Sequence, residues 1–184
     1  MRRFLIPGLV ALLAIGILAL LVFGVARNGT NTSLDAQLAK GVRPADPAAH
    51  LALPVLGSEG NEELAALRGK VVIVNVFASW CGSCVAETAV LEHAQKQISG
   101  HNATVLGVTY EDAAPDSEQF IKAHGITYPV LRDVGPAFTE DFGTSGVPET
   151  YVIDRQGRVA AIRRYEIDRS WLDATLAPLL AQPS

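Results

Sequence analysis

Cysteine is nearly absent. The chain of 184 residues holds two, Cys81 and Cys84. That excludes a disulfide-stapled miniprotein and a four-cysteine zinc site. Charge is also scarce: 18% of residues are Asp, Glu, Lys or Arg, the formal net charge is −4, and the basic residues are scattered. No basic patch of the kind that binds nucleic acid is present. The four histidines (His50, His93, His101, His124) show no paired ligand spacing, so a zinc half-site at the cysteines lacks its partners. There is no internal repeat. What is abundant is apolar: 49% of residues are hydrophobic, which excludes a disordered chain, and the length suits about one domain of roughly 150 residues.

The apolar excess is uneven. From Phe4 to Ala26 there is no charged side chain. As a helix this run is about 34 Å long, enough to cross a hydrocarbon core of about 30 Å. A cleaved signal peptide and a retained signal anchor are both readings of such a run. Its length exceeds the apolar region of a signal peptide, roughly 7–15 residues, and Gly24-Val25-Ala26 is only a fair cleavage site. A retained anchor is therefore expected. Arg2, Arg3 and the terminal amine outweigh Arg27, which places the N-terminus in the cytoplasm and the rest outside. Setting these three arginines aside concentrates the acidic excess in the exported part. The expected organisation is an anchor over 1–27, a flexible linker over 28–48 rich in Asn, Gly, Thr, Ala and Pro, and a compact domain over 49–184. Three glycosylation triplets, at Asn28, Asn31 and Asn102, matter only in a eukaryotic secretory pathway.

Within the domain, strand and helix patterns alternate. Val71 to Phe77 is a nearly continuous β-branched run, which predicts a central strand buried on both faces. Gly82 to about Ser99 is helical in pattern. Thr104–Val108 predicts a second buried strand, and Pro115 to about His124 a helix with Pro near its start. Tyr151–Asp154 and Arg158–Ile162, joined by Arg155-Gln156-Gly157, predict a hairpin, and Trp171–Leu180 a closing helix. The class is α/β, a mixed central sheet flanked by helices.

The two cysteines form a Cys-x-x-Cys directly after the buried strand and at the start of a helix. Unpaired N–H groups and the partial positive charge of a helix N-terminus stabilise a thiolate, lowering a thiol from about 8.5 to roughly 3.5–7.5. Cys81 is then the exposed nucleophile and Cys84 the resolving thiol. A structural disulfide closing so small a loop contributes little stability. Cys84, Glu87, Leu91, Ala94 and Ile98 lie on one helical stripe, so Glu87 faces the core. Desolvation raises the pKa of such a carboxyl, which suits it to exchange protons with the resolving thiol. The plainer reading is an early-helix glutamate favoured by the macrodipole.

The segment Lys70 to Glu87, with Trp80-Cys81-Gly82-Ser83-Cys84 at its centre, resembles the active-site segment of membrane-anchored, thioredoxin-like extracytoplasmic reductases. This is the TlpA/ResA group and, within it, the CcmG/DsbE branch of cytochrome c maturation. Gly146-Val147-Pro148-Glu149-Thr150 resembles that branch's cis-proline loop, and Gly107 to Asp112 its strand end and insertion. The resemblance spans about Leu51 to Leu180 and includes the single anchor. It implies a thioredoxin-like fold, a redox-active disulfide in place of a cofactor, and no metal. It also implies that Pro148 lies against the cysteines and leaves the backbone at Val147 to pair with an extended substrate. An acidic groove would draw on Glu87, Glu111, Asp112 and Glu149, with Trp80 covering the site and touching the partner. Asn75 stands where cytoplasmic thioredoxin has a buried aspartate, so proton handling falls to another group, which favours Glu87. The Gly82-Ser83 dipeptide lacks the proline of many relatives, and peroxidase chemistry finds no matching threonine and proline ahead of Cys81.

The implied activity is thiol–disulfide exchange outside the cytoplasm. The implied partners are the haem-attachment Cys-x-x-Cys-His of apocytochrome c or a maturation component, with a membrane thiol donor re-reducing the pair. The rivals are a general extracytoplasmic reductase or oxidase, a copper-delivery chaperone using His124, and a non-catalytic binding module.

Overall fold

The structure, a computed structural model, describes residues 33–182 together with residues 14–16 and 18. The chain divides into two units, 1–30 and 31–184. In the first, the described residues are helical and expose Ile15 and Leu18. The anchor expectation lies otherwise outside the described residues, among which no helix is long and apolar enough to cross a membrane.

In chain order the second unit contains α1 (Ser33–Ala39), β1 (Leu53–Pro54), β2 (Asn61–Glu62), a 3₁₀ turn (Leu64–Leu67), β3 (Val71–Phe77) and α2 (Gly82–Ile98). There follow β4 (Ala103–Tyr110), α3 (Ala114–His124), β5 (Val130–Asp133), α4 (Ala137–Phe142), β6 (Glu149–Ile153), β7 (Val159–Arg164) and α5 (Arg169–Leu180). The main sheet has the order β5-β4-β3-β6-β7. β3 and β4 pair parallel, as do β4 and β5, whereas β6 runs antiparallel to both β3 and β7. This is a thioredoxin-like α/β arrangement with a mixed sheet between helices.

The β-branched run of β3 explains its central place: all seven of its residues are buried. Their side chains alternate between two cores. Val71, Ile73 and Phe77 join Leu91, Ala94 and Ile98 of α2 and Leu172, Leu176 and Leu179 of α5. Val72, Val74 and Val76 join Leu34 of α1, Phe138 and Phe142 of α4, and Tyr151. Each fully buried aliphatic contributes roughly 1.5–3 kcal/mol, which is why the strand tolerates one polar residue, Asn75, only where that residue is hydrogen-bonded. The predicted hairpin turns at Gly157, whose φ of 72° suits glycine. The Asp154 carboxylate accepts the Gln156 and Arg158 N–H groups there.

The segment expected as a flexible linker up to residue 48 is packed from Ser33 onward. Leu34 and Ala48 are buried in the second core, Arg43 pairs with Asp154, and Asp35 binds Arg164 through two contacts, of 2.6 and 3.3 Å. The folded domain therefore begins before the expected boundary at 49. A polar, Ala-rich composition hid this, because α1 is short and its place is set by tertiary contacts, those of Leu34 and Leu38 with the second core among them.

Candidate active site

β3 delivers the chain to Ala78, and Cys81 occupies the N-cap of α2 with extended backbone. Cys81 and Cys84 are joined by a disulfide. The Cys81 Sγ accepts the Cys84 N–H at 3.1 Å and lies 3.4 Å from the Ser83 Oγ. A sulfur that accepts an N–H at a helix N-terminus is in an arrangement that stabilises a thiolate. One expectation is corrected: Cys81 is not exposed in this state but 5% accessible, against 2% for Cys84. Both cysteines belong to the first core cluster.

The turn before Cys81 is braced from outside the motif. The Asp112 carboxylate accepts the Ser79 N–H at 2.8 Å and the Ser79 hydroxyl at 2.7 Å, and also the Ser117 hydroxyl at 2.7 Å. Asp112 thus ties the end of β4 and the start of α3 to the active-site turn. Its oxygens are occupied by this bracing rather than offered to a substrate. Glu111 is exposed at φ 46°, and its backbone carbonyl accepts the Trp80 indole N–H at 3.2 Å. Trp80 itself is 59% exposed, so it flanks the site as a contact surface.

Behind the disulfide, Glu87 is 1% exposed. One carboxylate oxygen accepts the Asn75 amide at 3.0 Å and the other the Ile167 N–H at 2.6 Å. Asn75 also donates to the Thr150 hydroxyl at 3.1 Å. Both partners of Glu87 are neutral. Desolvation therefore dominates and pushes its pKa up to about 7. The two hydrogen bonds pull the other way, and nearby Glu166 adds to the rise. Asn75 thus serves to orient a carboxyl supplied by the helix. The Asn75, Thr150 and Ile167 partnerships were not apparent from the sequence, since they join residues up to 80 apart.

The Val147–Pro148 bond is cis, and Val147 packs against the core that contains both cysteines. The Pro148 carbonyl accepts the Tyr165 N–H at 3.0 Å. Glu149 departs from expectation. It points to the opposite face from Thr150 and is 2% exposed. Its carboxylate accepts the Ser145 N–H and the Tyr151 hydroxyl, and pairs with Arg164 at 2.6 Å. The acidic groove expected from Glu87, Glu111, Asp112 and Glu149 does not form as one surface. Strand alternation sends Glu149 away from the cysteines, burial encloses Glu87, and Asp112 is spent on serine hydroxyls.

A groove of about 320 Å³ opens beside Trp80, lined by Ser79, Asp116, Gln119, Phe120, Ala123 and His124. His124 packs its ring on Phe120 at 4.4 Å. Among the described residues no three His, Cys, Asp or Glu side chains converge as metal ligands.

A strand-to-helix Cys-x-x-Cys disulfide, a cis-proline loop whose Val147 packs on the core that holds both cysteines, and a buried carboxyl one turn along the same helix define a dithiol–disulfide oxidoreductase on a thioredoxin-like scaffold. Comparison with known proteins carries this to the family. The chain belongs to the Redoxin family, whose sequence profile matches residues 44–176. It is 32% identical over 139 residues to the thiol:disulfide interchange protein DsbE of Allochromatium vinosum, covering 74% of this chain and 75% of that protein. It is 25% identical over 100 residues to the thiol-disulfide oxidoreductase ResA of Bacillus subtilis, covering 54% of this chain and 56% of that one. Among solved structures, a thioredoxin-family thiol:disulfide interchange protein from Chlorobium tepidum superposes with a TM-score of 0.67 at 26% identity. That match covers 76% of this chain and 97% of that one.

Proposed function

We propose that this oxidoreductase works outside the cytoplasm, anchored through Phe4–Ala26, and donates electrons to the haem-attachment disulfide of apocytochrome c or to a maturation partner that carries it. The observation that carries the redox role is the buried Glu87, one helical turn beyond Cys84 and partnered only by neutral groups. In the reduced protein the Cys81 thiolate attacks a partner sulfur. The partner S–S bond breaks, a partner thiolate leaves, and a Cys81–partner disulfide forms. Cys84 then loses its proton, for which the Glu87 carboxylate is the acceptor, and attacks the Cys81 sulfur. The second partner thiolate leaves, the Cys81–Cys84 bond closes, and two electrons have passed to the partner. A membrane thiol donor re-reduces the pair. The cytochrome assignment rests on the resemblance of the Trp80–Glu87 and Gly146–Thr150 segments to the CcmG/DsbE branch, and on the DsbE relatives.

Trapping tests it. In cells expressing the Cys84→Ala chain, the species linked to Cys81 is expected to be apocytochrome c or a component that handles its disulfide. A collection of unrelated disulfide proteins would overturn the cytochrome reading in favour of a general reductase. A reduction potential near that of strong oxidants, about −120 mV, would overturn electron donation.

A further inference from the structure

Between β7 and α5 the chain runs through four residues, 165–168, three of which are tied to something functional or buried. The Tyr165 N–H donates to the Pro148 carbonyl. The Ile167 N–H donates to Glu87, and the Ile167 side chain is buried in the first core. Asp168 then caps α5 by accepting the Trp171 N–H at 2.8 Å.

Tyr165 is the anomaly in this segment. Its φ is +87°, a left-handed conformation that a bulky side chain adopts only at an energetic penalty and that glycine adopts freely. Among the described residues it shares positive φ with only two other non-glycines, Asn102 and Glu111, and asparagine is a residue type that tolerates this region. A penalty of that kind is ordinarily offset by packing the side chain. Here it is not: the ring is 81% exposed, so it adds little to the core. Strained, exposed residues of this sort gather at binding sites. The neighbourhood supplies the ligand. The Tyr165 N–H is bonded to the carbonyl of Pro148, whose neighbour Val147 packs on the core that contains both cysteines. Two further exposed apolar side chains, Trp80 at 59% and Val85 at 40%, adjoin Cys81 and Cys84 in the sequence.

We propose that Tyr165 is a specificity-determining residue for the exchange reaction. Its ring receives an apolar side chain of the extended polypeptide that carries the disulfide, next to the reacting cysteine. The proposal rests on disulfide exchange alone, so an outcome against apocytochrome c in the trapping experiment leaves it standing.

Two peptides with the same Cys-x-x-Cys disulfide, one flanked by leucine and valine and the other by glycine and serine, give the test. Their reduction by the full reduced chain and by Tyr165→Gly and Tyr165→Phe is followed at varied peptide concentration. Tyr165→Gly is expected to raise KM for the apolar peptide about tenfold more than for the Gly/Ser peptide, the loss of roughly 50 Å² of apolar contact. The change should fall in KM rather than kcat. Tyr165→Phe is expected to keep the wild-type preference, and Tyr165→Gly to melt at or above the wild-type temperature as the backbone relaxes. An equal rise in KM for both peptides would show that Tyr165 only holds the Pro148 and Glu87 backbone contacts, and would overturn the proposal. So would no rise for either, or loss of the preference in Tyr165→Phe.

Discussion

Two glutamates are buried on opposite faces of the same pair of strands, and they are built in opposite ways. Glu149 begins β6 and pairs in register with Val76, while its neighbour Thr150 opposes Asn75, which holds Glu87. Their exposures are alike, 2% and 1%. Glu149, however, meets the Arg164 guanidinium as well as the Ser145 and Tyr151 donors, whereas Glu87 meets only an amide and a backbone N–H. The difference teaches that burial does not by itself mark a proton-exchanging carboxyl. An opposite charge stabilises the ionised form, and without one desolvation prevails and the group titrates near neutrality. Glu149 therefore braces the cis-proline loop from behind, and Glu87 is the carboxyl whose pKa burial raises to about 7.

Breaking the compensated member should have the largest effect. Replacing Arg164 by Met strands the Glu149 carboxylate and is expected to lower stability by about 3 kcal/mol, as for a buried pair deprived of one partner. Urea unfolding at pH 7 measures it, and a loss under about 1 kcal/mol would mean that Glu149 is not held as an ion pair.

The uncompensated member should reveal itself through pH. The folded pKa of Glu87, about 7, lies above the unfolded value near 4.5. The native state therefore binds more protons between these limits, and stability falls as pH rises through that window. Glu87→Gln removes this dependence. The wild type should lose about 3 kcal/mol more than the variant between pH 4.5 and 7, read from denaturant midpoints across the series. The same substitution should shift the pH profile of thiol reactivity in the reduced protein, and an unchanged profile would remove Glu87 from proton exchange.

The smallest expected effect sharpens the first. Asp35 binds the far side of Arg164 but is 40% exposed, so Asp35→Ala should reduce stability by at most about 1 kcal/mol. Thermal unfolding alongside the Arg164 variant would show whether Arg164 acts chiefly on Glu149. A loss as large as that of Arg164→Met would place the main burden on α1 instead.

How much of this was legible beforehand follows from the range of the interactions involved. The run Val71–Phe77 and the pattern that begins at Gly82 matched the structure because β-branched continuity and helical periodicity are local signals. α1, α4, β5 and the short β1–β2 pair were missed: they are brief and owe their form to distant partners, Leu34 to the second core and Val55 to Leu131. The site divides in the same way. Cys81, Cys84 and Glu87 lie on one helix and could be related by spacing. The Asp112 brace on Ser79 spans 33 positions and the Arg164–Asp35 contact spans 129, distances over which spacing carries no information.

By itself, then, the sequence determined that the chain carries one redox-active pair at a helix N-terminus, with a carboxyl one turn behind it. Those relations are written in the helical repeat and in the scarcity of cysteine. Only the tertiary structure decided which acids serve the site. Strand alternation turned Glu149 away, serine hydroxyls claimed Asp112, and Glu87, whose hydrogen-bond partners among the described residues are neutral, was left with a pKa raised by burial. The ionisation of a buried group depends on the charges that folding brings near it, and those come from anywhere in the chain.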